Sequence, residues 1–113
     1  MTYNVQFSAE AESNIREIIE WITNRSSSGA SRWLDALTES TTRLKCSPTS
    51  FGLAPESESF RDEIRQVLFG TPRGNTYRAL FVLRSNTVHI VSVRASGRAL
   101  LRPGEVDLPP KQP

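Results

Sequence analysis

The chain has 113 residues, 37% hydrophobic and 23% charged, a composition that suits one domain with a modest core. Its net charge of +2 hides a split: residues 1–60 sum to −3 and residues 61–113 to +5, and twelve of the fourteen basic residues are arginine. A lone cysteine, Cys46, excludes an intrachain disulfide and a cysteine metal cluster, and no apolar run approaches the ~20 residues that span a bilayer.

With no basic segment leading into an apolar core, the opening MTYNVQFSAEAE does not have the pattern of a signal peptide. A cytoplasmic protein with no metal, no cofactor and no membrane association is the expectation. Tyr3–Phe7 alternates Tyr3, Val5 and Phe7 with Asn4 and Gln6, a strand of period two. Ser8 then offers a helix N-cap, with Glu10 and Glu12 favourably placed in the first turn. From Ala9 to Asn24, Ala11, Ile15, Ile18, Ile19 and Ile22 recur at helical spacing, and Trp21 lies off that stripe.

Asn24–Gly29 is a connector of turn-forming residues. A second amphipathic helix is predicted over Ala30–Cys46, with Trp33, Leu34, Leu37 and Leu44 on one face and Pro48 ending it. So short a link implies an antiparallel helical hairpin, and without a basic stripe that hairpin reads as scaffold. Ser47–Asp62 is a loop rich in Pro, Ser and Glu, anchored by Phe51, Leu53 and Phe60.

Three strands follow, Ile64–Phe69, Tyr77–Leu83 and Val88–Arg94, each rich in β-branched, aromatic or aliphatic residues and bounded by turn formers. Arg65, Arg73, Arg78, Arg84, Arg94 and Arg98 all fall between Ile64 and Arg98, and no acidic residue does. Adjacent strands lie about 5 Å apart, so these charges become neighbours and call for an anionic partner, a phosphate backbone or an acidic protein segment.

The fold class expected is α+β: a β-α-α-β-β-β two-layer arrangement with the helical hairpin packed on one face of a small antiparallel sheet. It forms a single domain over residues 1–113, with about 103–113 a loosely ordered tail. Both faces of the meander carry apolar residues, whereas an antiparallel sheet with one wet face alternates cleanly. The second face is therefore expected to be covered, from outside the chain or by the tail folding back, the first being favoured.

The order of elements, the opening YNVQFSAEAESNI and the later IRQVLFGTPRGNTYRALFVL and VHIVSVR resemble the RelE/ParE superfamily of toxins from type II toxin–antitoxin modules. The resemblance covers roughly residues 3–98. It implies a cytoplasmic growth inhibitor of the plasmid-stabilisation kind, neutralised by binding a cognate antitoxin. RelE-like members cleave messenger RNA on the ribosome, and ParE-like members poison DNA gyrase.

For a ribosome-dependent endoribonuclease, the resemblance places Arg65, Arg78 and Arg98 around the scissile phosphate as catalytic residues. The acid-free run itself supplies the binding set, Arg65, Arg73, Arg78, Arg94 and Arg98. Two departures matter. Val67 stands where a second basic residue is expected, and no Tyr or His follows Arg98 to transfer a proton. His89 alone has an ordinary pKa near neutrality, and a mid-strand position favours packing. Arginine stays protonated and is a poor base, which tilts the reading toward the ParE-like side. Ribonuclease activity and a degenerate, non-toxic member remain the alternatives.

Overall fold

The structure is a computed structural model that describes residues 2–111. Four strands, β1 (Asn4–Phe7), β2 (Arg65–Gly70), β3 (Thr76–Arg84) and β4 (Thr87–Ala95), form one sheet in the order β1-β4-β3-β2. Helices α1 (Ala9–Thr23) and α2 (Ser27–Cys46) pack on one of its faces. The fold is α+β, as the element order predicts. One correction applies to the sheet: β2, β3 and β4 run antiparallel, but β1 pairs parallel to β4, so the sheet is mixed.

Local chemistry explains the elements. Ser8 caps α1 by accepting a hydrogen bond from the Ala11 N–H at 3.0 Å. Ser26 does the same for α2 through the Gly29 N–H, so that helix begins three residues before the predicted Ala30. At the β3–β4 turn, Arg84 pairs with Thr87 across two residues, and Ser85 takes the left-handed conformation that such a tight link requires.

The helix-side core is built on Trp33, which packs against Phe69 and Tyr77 with ring centroids 5.5 Å away in each case. Leu37, Leu44, Phe81, Val88, Ile90 and Val93 complete it. Trp33 is 2% exposed, in keeping with the structural role of the hairpin. Trp21 is 48% exposed, and the Arg25 guanidinium stacks 3.8 Å above its ring.

A β-bulge in β4 helps to distribute its apolar residues over both faces of the sheet. Phe81 pairs with Ile90 but Leu80 pairs with Ser92, so β4 carries one extra residue, Val91. Val88, Ile90 and Val93 face the helices, while Val91 joins a second core with Leu80, Val82 and Ile64.

That second core corrects the favoured expectation about the second face. The chain itself covers it. The loop before β2 contributes Ala54, Phe60 and Ile64, and the segment after Arg98 contributes Leu101, Val106 and Leu108. The turn from Arg102 to Glu105 places Gly104 at φ +95°, a conformation other residues rarely adopt, and it redirects the tail over the sheet. The tail is thus docked where a loose segment was expected. Arg84 Nε donates to the Pro109 carbonyl at 3.1 Å, and Leu101 and Val106 are 7% and 9% exposed. The final Gln112 and Pro113 lie outside the described residues. No helix among the described residues is long and apolar enough to cross a membrane.

Candidate functional site

The arginines of the meander divide into two sets. On the second face, Arg78 donates from Nη1 and Nη2 to Oε1 and Oε2 of Glu56 at 2.8 and 2.7 Å. The two side chains are 6% and 0% exposed. Gln66 Oε1 accepts a further bond from Arg78 Nη1 at 3.0 Å, and the Leu101 N–H donates to Glu56 Oε2 at 3.1 Å. Burial by itself pushes the Glu56 carboxyl up, but the Arg78 hydrogen bonds and the Leu101 amide outweigh it and hold the group below the ordinary carboxylate range. Arg84 is engaged similarly: its Nη2 lies 3.0 Å from Asp62 Oδ1, which Lys111 Nζ also approaches at 3.3 Å.

Arg65 lies elsewhere. It pairs with Phe81, whose ring belongs to the helix-side core, whereas Arg78 pairs with Leu68 and occupies the opposite face. The Arg65 Nη1 donates to the Phe51 carbonyl at 2.6 Å. Arg73 is exposed in the β2–β3 turn. The proposed catalytic trio of Arg65, Arg78 and Arg98 is therefore not assembled: the first two point to opposite sides of the sheet, and the second is closed by Glu56.

His89 pairs with Val82, four residues from Arg78 along β3, or about 13 Å at the strand rise. Burial first and Arg84 second push its pKa down, so the imidazole is neutral near pH 7.

Arg94 and Arg98 form the second set, which makes no ion pair among the described residues, although Arg94 is the ladder partner of Arg78 and shares its face. Beyond Ile90 no strand pairs with β4 on the β1 side, and α1 takes that place, with Asn14 Oδ1 accepting the Val93 N–H at 3.0 Å. Between α1 and the end of β4 lies a cleft of about 280 Å³, lined by Ile18, Trp21, Tyr77, Val93, Arg94 and Arg98 among others. The Nε and Nη1 of Arg94 are buried and make no hydrogen bond. Burial first, and then the positive charges of Arg98 and Arg78, push its pKa below the ordinary arginine value against the opposing pull of Glu56 and Glu105.

A second cleft, of about 360 Å³, shares Trp21, Asn75 and Tyr77 with the first and adds Arg25, Arg32 and Arg73. Five arginines thus ring one end of the molecule. None of them takes part in an ion pair among the described residues, where the four pairs use Arg65, Arg78, Arg84 and Lys111.

Over residues 5–100, the sequence matches the family described as ParE toxin of type II toxin-antitoxin system, parDE. The chain belongs to the ParE toxin family. No curated protein matches it. For a ParE-family toxin, the arginine geometry narrows what the meander can do, because Arg78, in the Tyr-Arg pair that carries much of the resemblance, is an internal residue. Sequence reasoning missed Glu56 and Asp62. A signal existed for the two acids: Glu56, Glu58, Asp62 and Glu63 cluster immediately before an acid-free, arginine-rich stretch. Trp21, by contrast, was marked by lying off the apolar stripe of α1, and it is exposed.

Proposed function

We propose that this ParE-family toxin inhibits growth in the cytoplasm by binding a macromolecular target, DNA gyrase first, and that it is neutralised by a cognate antitoxin. The observation that carries this reading is the closed Arg78–Glu56 pair. Cleavage of RNA by attack of a 2′-hydroxyl needs a proton acceptor, a donor to the leaving oxygen and cations around the phosphate. Here Arg78 is saturated by a carboxylate, Arg65 faces the other way, and His89 lies about 13 Å along the sheet. A binding role requires only an accessible surface of suitable charge, which the arginine-ringed end supplies.

The test is inducible expression, with transcript ends mapped while plasmid supercoiling is followed. Inhibited supercoiling or DNA breaks with intact transcripts are expected. Discrete cuts in ribosome-bound messenger RNA that vanish in Arg65→Ala, with supercoiling untouched, would overturn this reading in favour of a ribonuclease. Normal growth on expression would mark a member without toxicity.

A further inference from the structure

We infer that the cleft walled by Arg25, Arg32 and Arg73 is a binding site for the sugar–phosphate backbone of DNA. Charge and donor chemistry carry the site itself. DNA as the source of the phosphates rests on the reading of this chain as a gyrase-directed toxin, which works where DNA is held.

The cleft, of about 360 Å³, lies where the α1–α2 corner, the first two turns of α2 and the β2–β3 turn meet. Each of these segments brings one arginine, and all three arginines are exposed. The Arg25 guanidinium lies 3.8 Å from the centre of the Trp21 ring and donates from Nη1 to the Trp21 carbonyl at 3.1 Å. Arg32 donates from Nη1 to the Ser28 hydroxyl at 3.0 Å, on the first turn of α2. A guanidinium carries five N–H donors, so each of these bonds leaves most of the fork open.

The charges are held in place but not neutralised. None of the three arginines makes an ion pair among the described residues, and no acidic residue lines the cleft. Glu20 and Asp35, the acids nearest to Arg25 and Arg32 in sequence, lie outside its wall. The positive end of the α2 dipole adds to the field at the same place.

Two features favour a phosphate backbone over an acidic peptide. One carboxylate is satisfied by one guanidinium fork, whereas three arginines without an acid suit a polyanion whose charges recur along its length. The wall between the arginines is the second feature. Ser26, Thr71 and Asn75 offer hydroxyl and amide donors, which accompany arginine at phosphates and sugars. Trp33 and Tyr77 reach the cleft but are only 2% and 6% exposed, and the open ring of Trp21 carries Arg25 above it. That leaves little of the apolar centre on which a protein partner ordinarily packs.

The experiment titrates the full chain against a labelled DNA duplex of about 20 base pairs, by fluorescence anisotropy, from about 50 to 200 mM salt. Binding is expected, with a log–log salt slope near −2.7, the value for about three phosphates neutralised. Arg25→Ala, Arg32→Ala and Arg73→Ala should each weaken it about threefold to tenfold and flatten the slope by about 1, and the triple variant should lose about a hundredfold or more. Arg102→Ala, exposed on the tail and outside the cleft, is the control and should bind as the unaltered chain does. Because the three arginines are exposed and unpaired, an unshifted denaturant midpoint is expected for each variant.

No binding at about 50 mM salt, or binding that the triple variant retains, overturns the inference. So does a duplex that fails to bind while the protein encoded by the adjacent reading frame loses affinity in the same variants, since the cleft is then a protein-docking surface. Tighter binding of RNA of the same sequence, with the same losses, would overturn DNA as the source of the phosphates. A supercoiling assay separates the inference from the reading beneath it. DNA binding that the variants lose, with gyrase unaffected by the unaltered chain, supports the site and removes the gyrase reading; inhibited gyrase without DNA binding does the reverse.

Discussion

The second face of the sheet and the α1–β4 end present the same residue type in opposite circumstances. On the face, Arg78 and Arg84 meet Glu56 and Asp62 from a preceding loop, at 2.7 and 3.0 Å, under a cover of tail residues. At the end, Arg94 and Arg98 share a cleft and make no ion pair among the described residues. Arg78 and Arg94 are direct partners in the β3–β4 ladder and so share a face, yet of the two only Arg78 makes an ion pair among the described residues. A run of positive charge does call for negative partners, but half of them are internal.

The comparison breaks most visibly at Glu56. Removing one member of a buried ion pair leaves an uncompensated charge, so Glu56→Ala is expected to destabilise the fold by roughly 3–5 kcal/mol in denaturant unfolding. A double change of Glu56 and Arg78 to well-packed apolar residues should recover most of that loss. A loss below about 1 kcal/mol in the single variant would mean that water reaches Arg78. For reference, Trp33→Ala, which empties the helix-side core without touching either arginine set, is expected to cost about 3–5 kcal/mol.

Acid should act on the same pair. Because the folded-state pKa of Glu56 is depressed, its contribution is fully present above the ordinary carboxylate range and is lost as pH falls through the lowered folded value. Glu56→Gln should therefore be less stable near neutrality and show a shallower decline below about pH 4.5, the ordinary value for the group. Parallel acid-unfolding curves for the two proteins would contradict the assignment.

Asp62→Asn tests the outer pair, where the charge-assisted bonds to Arg84 are partly solvated; a loss near the lower end of roughly 1.5–3 kcal/mol is expected. Arg98→Ala sits at the bottom of the scale. An exposed arginine with no ion pair should change stability by less than about 0.5 kcal/mol, measurable as an unshifted denaturant midpoint. A large loss there would show that the open end, too, contributes to folding.

Both helices, their hairpin link and the three strands of the meander were legible in the sequence, because amphipathic period, serine caps and turn residues act over a few positions. Ser8, Trp33 and the alternation of Tyr77, Ala79 and Phe81 are instances. Pairings that depend on distant segments were not legible. Glu56 reaches Arg78 across 22 residues and the Leu101 amide across 45, and β1 joins β4 in parallel.

The sequence by itself determined the elements, their order, the hidden face of each helix and the family, since each is carried by local residue type and spacing. Only the tertiary structure decided that the tail closes the second face, that a bulge at Val91 sets Arg94 opposite Arg78, and that of these two arginines only Arg78 is in contact with a carboxylate among the described residues. Those outcomes turn on where chain segments meet and how much water they exclude, and burial sets both the strength of a paired charge and the cost of an unpaired one.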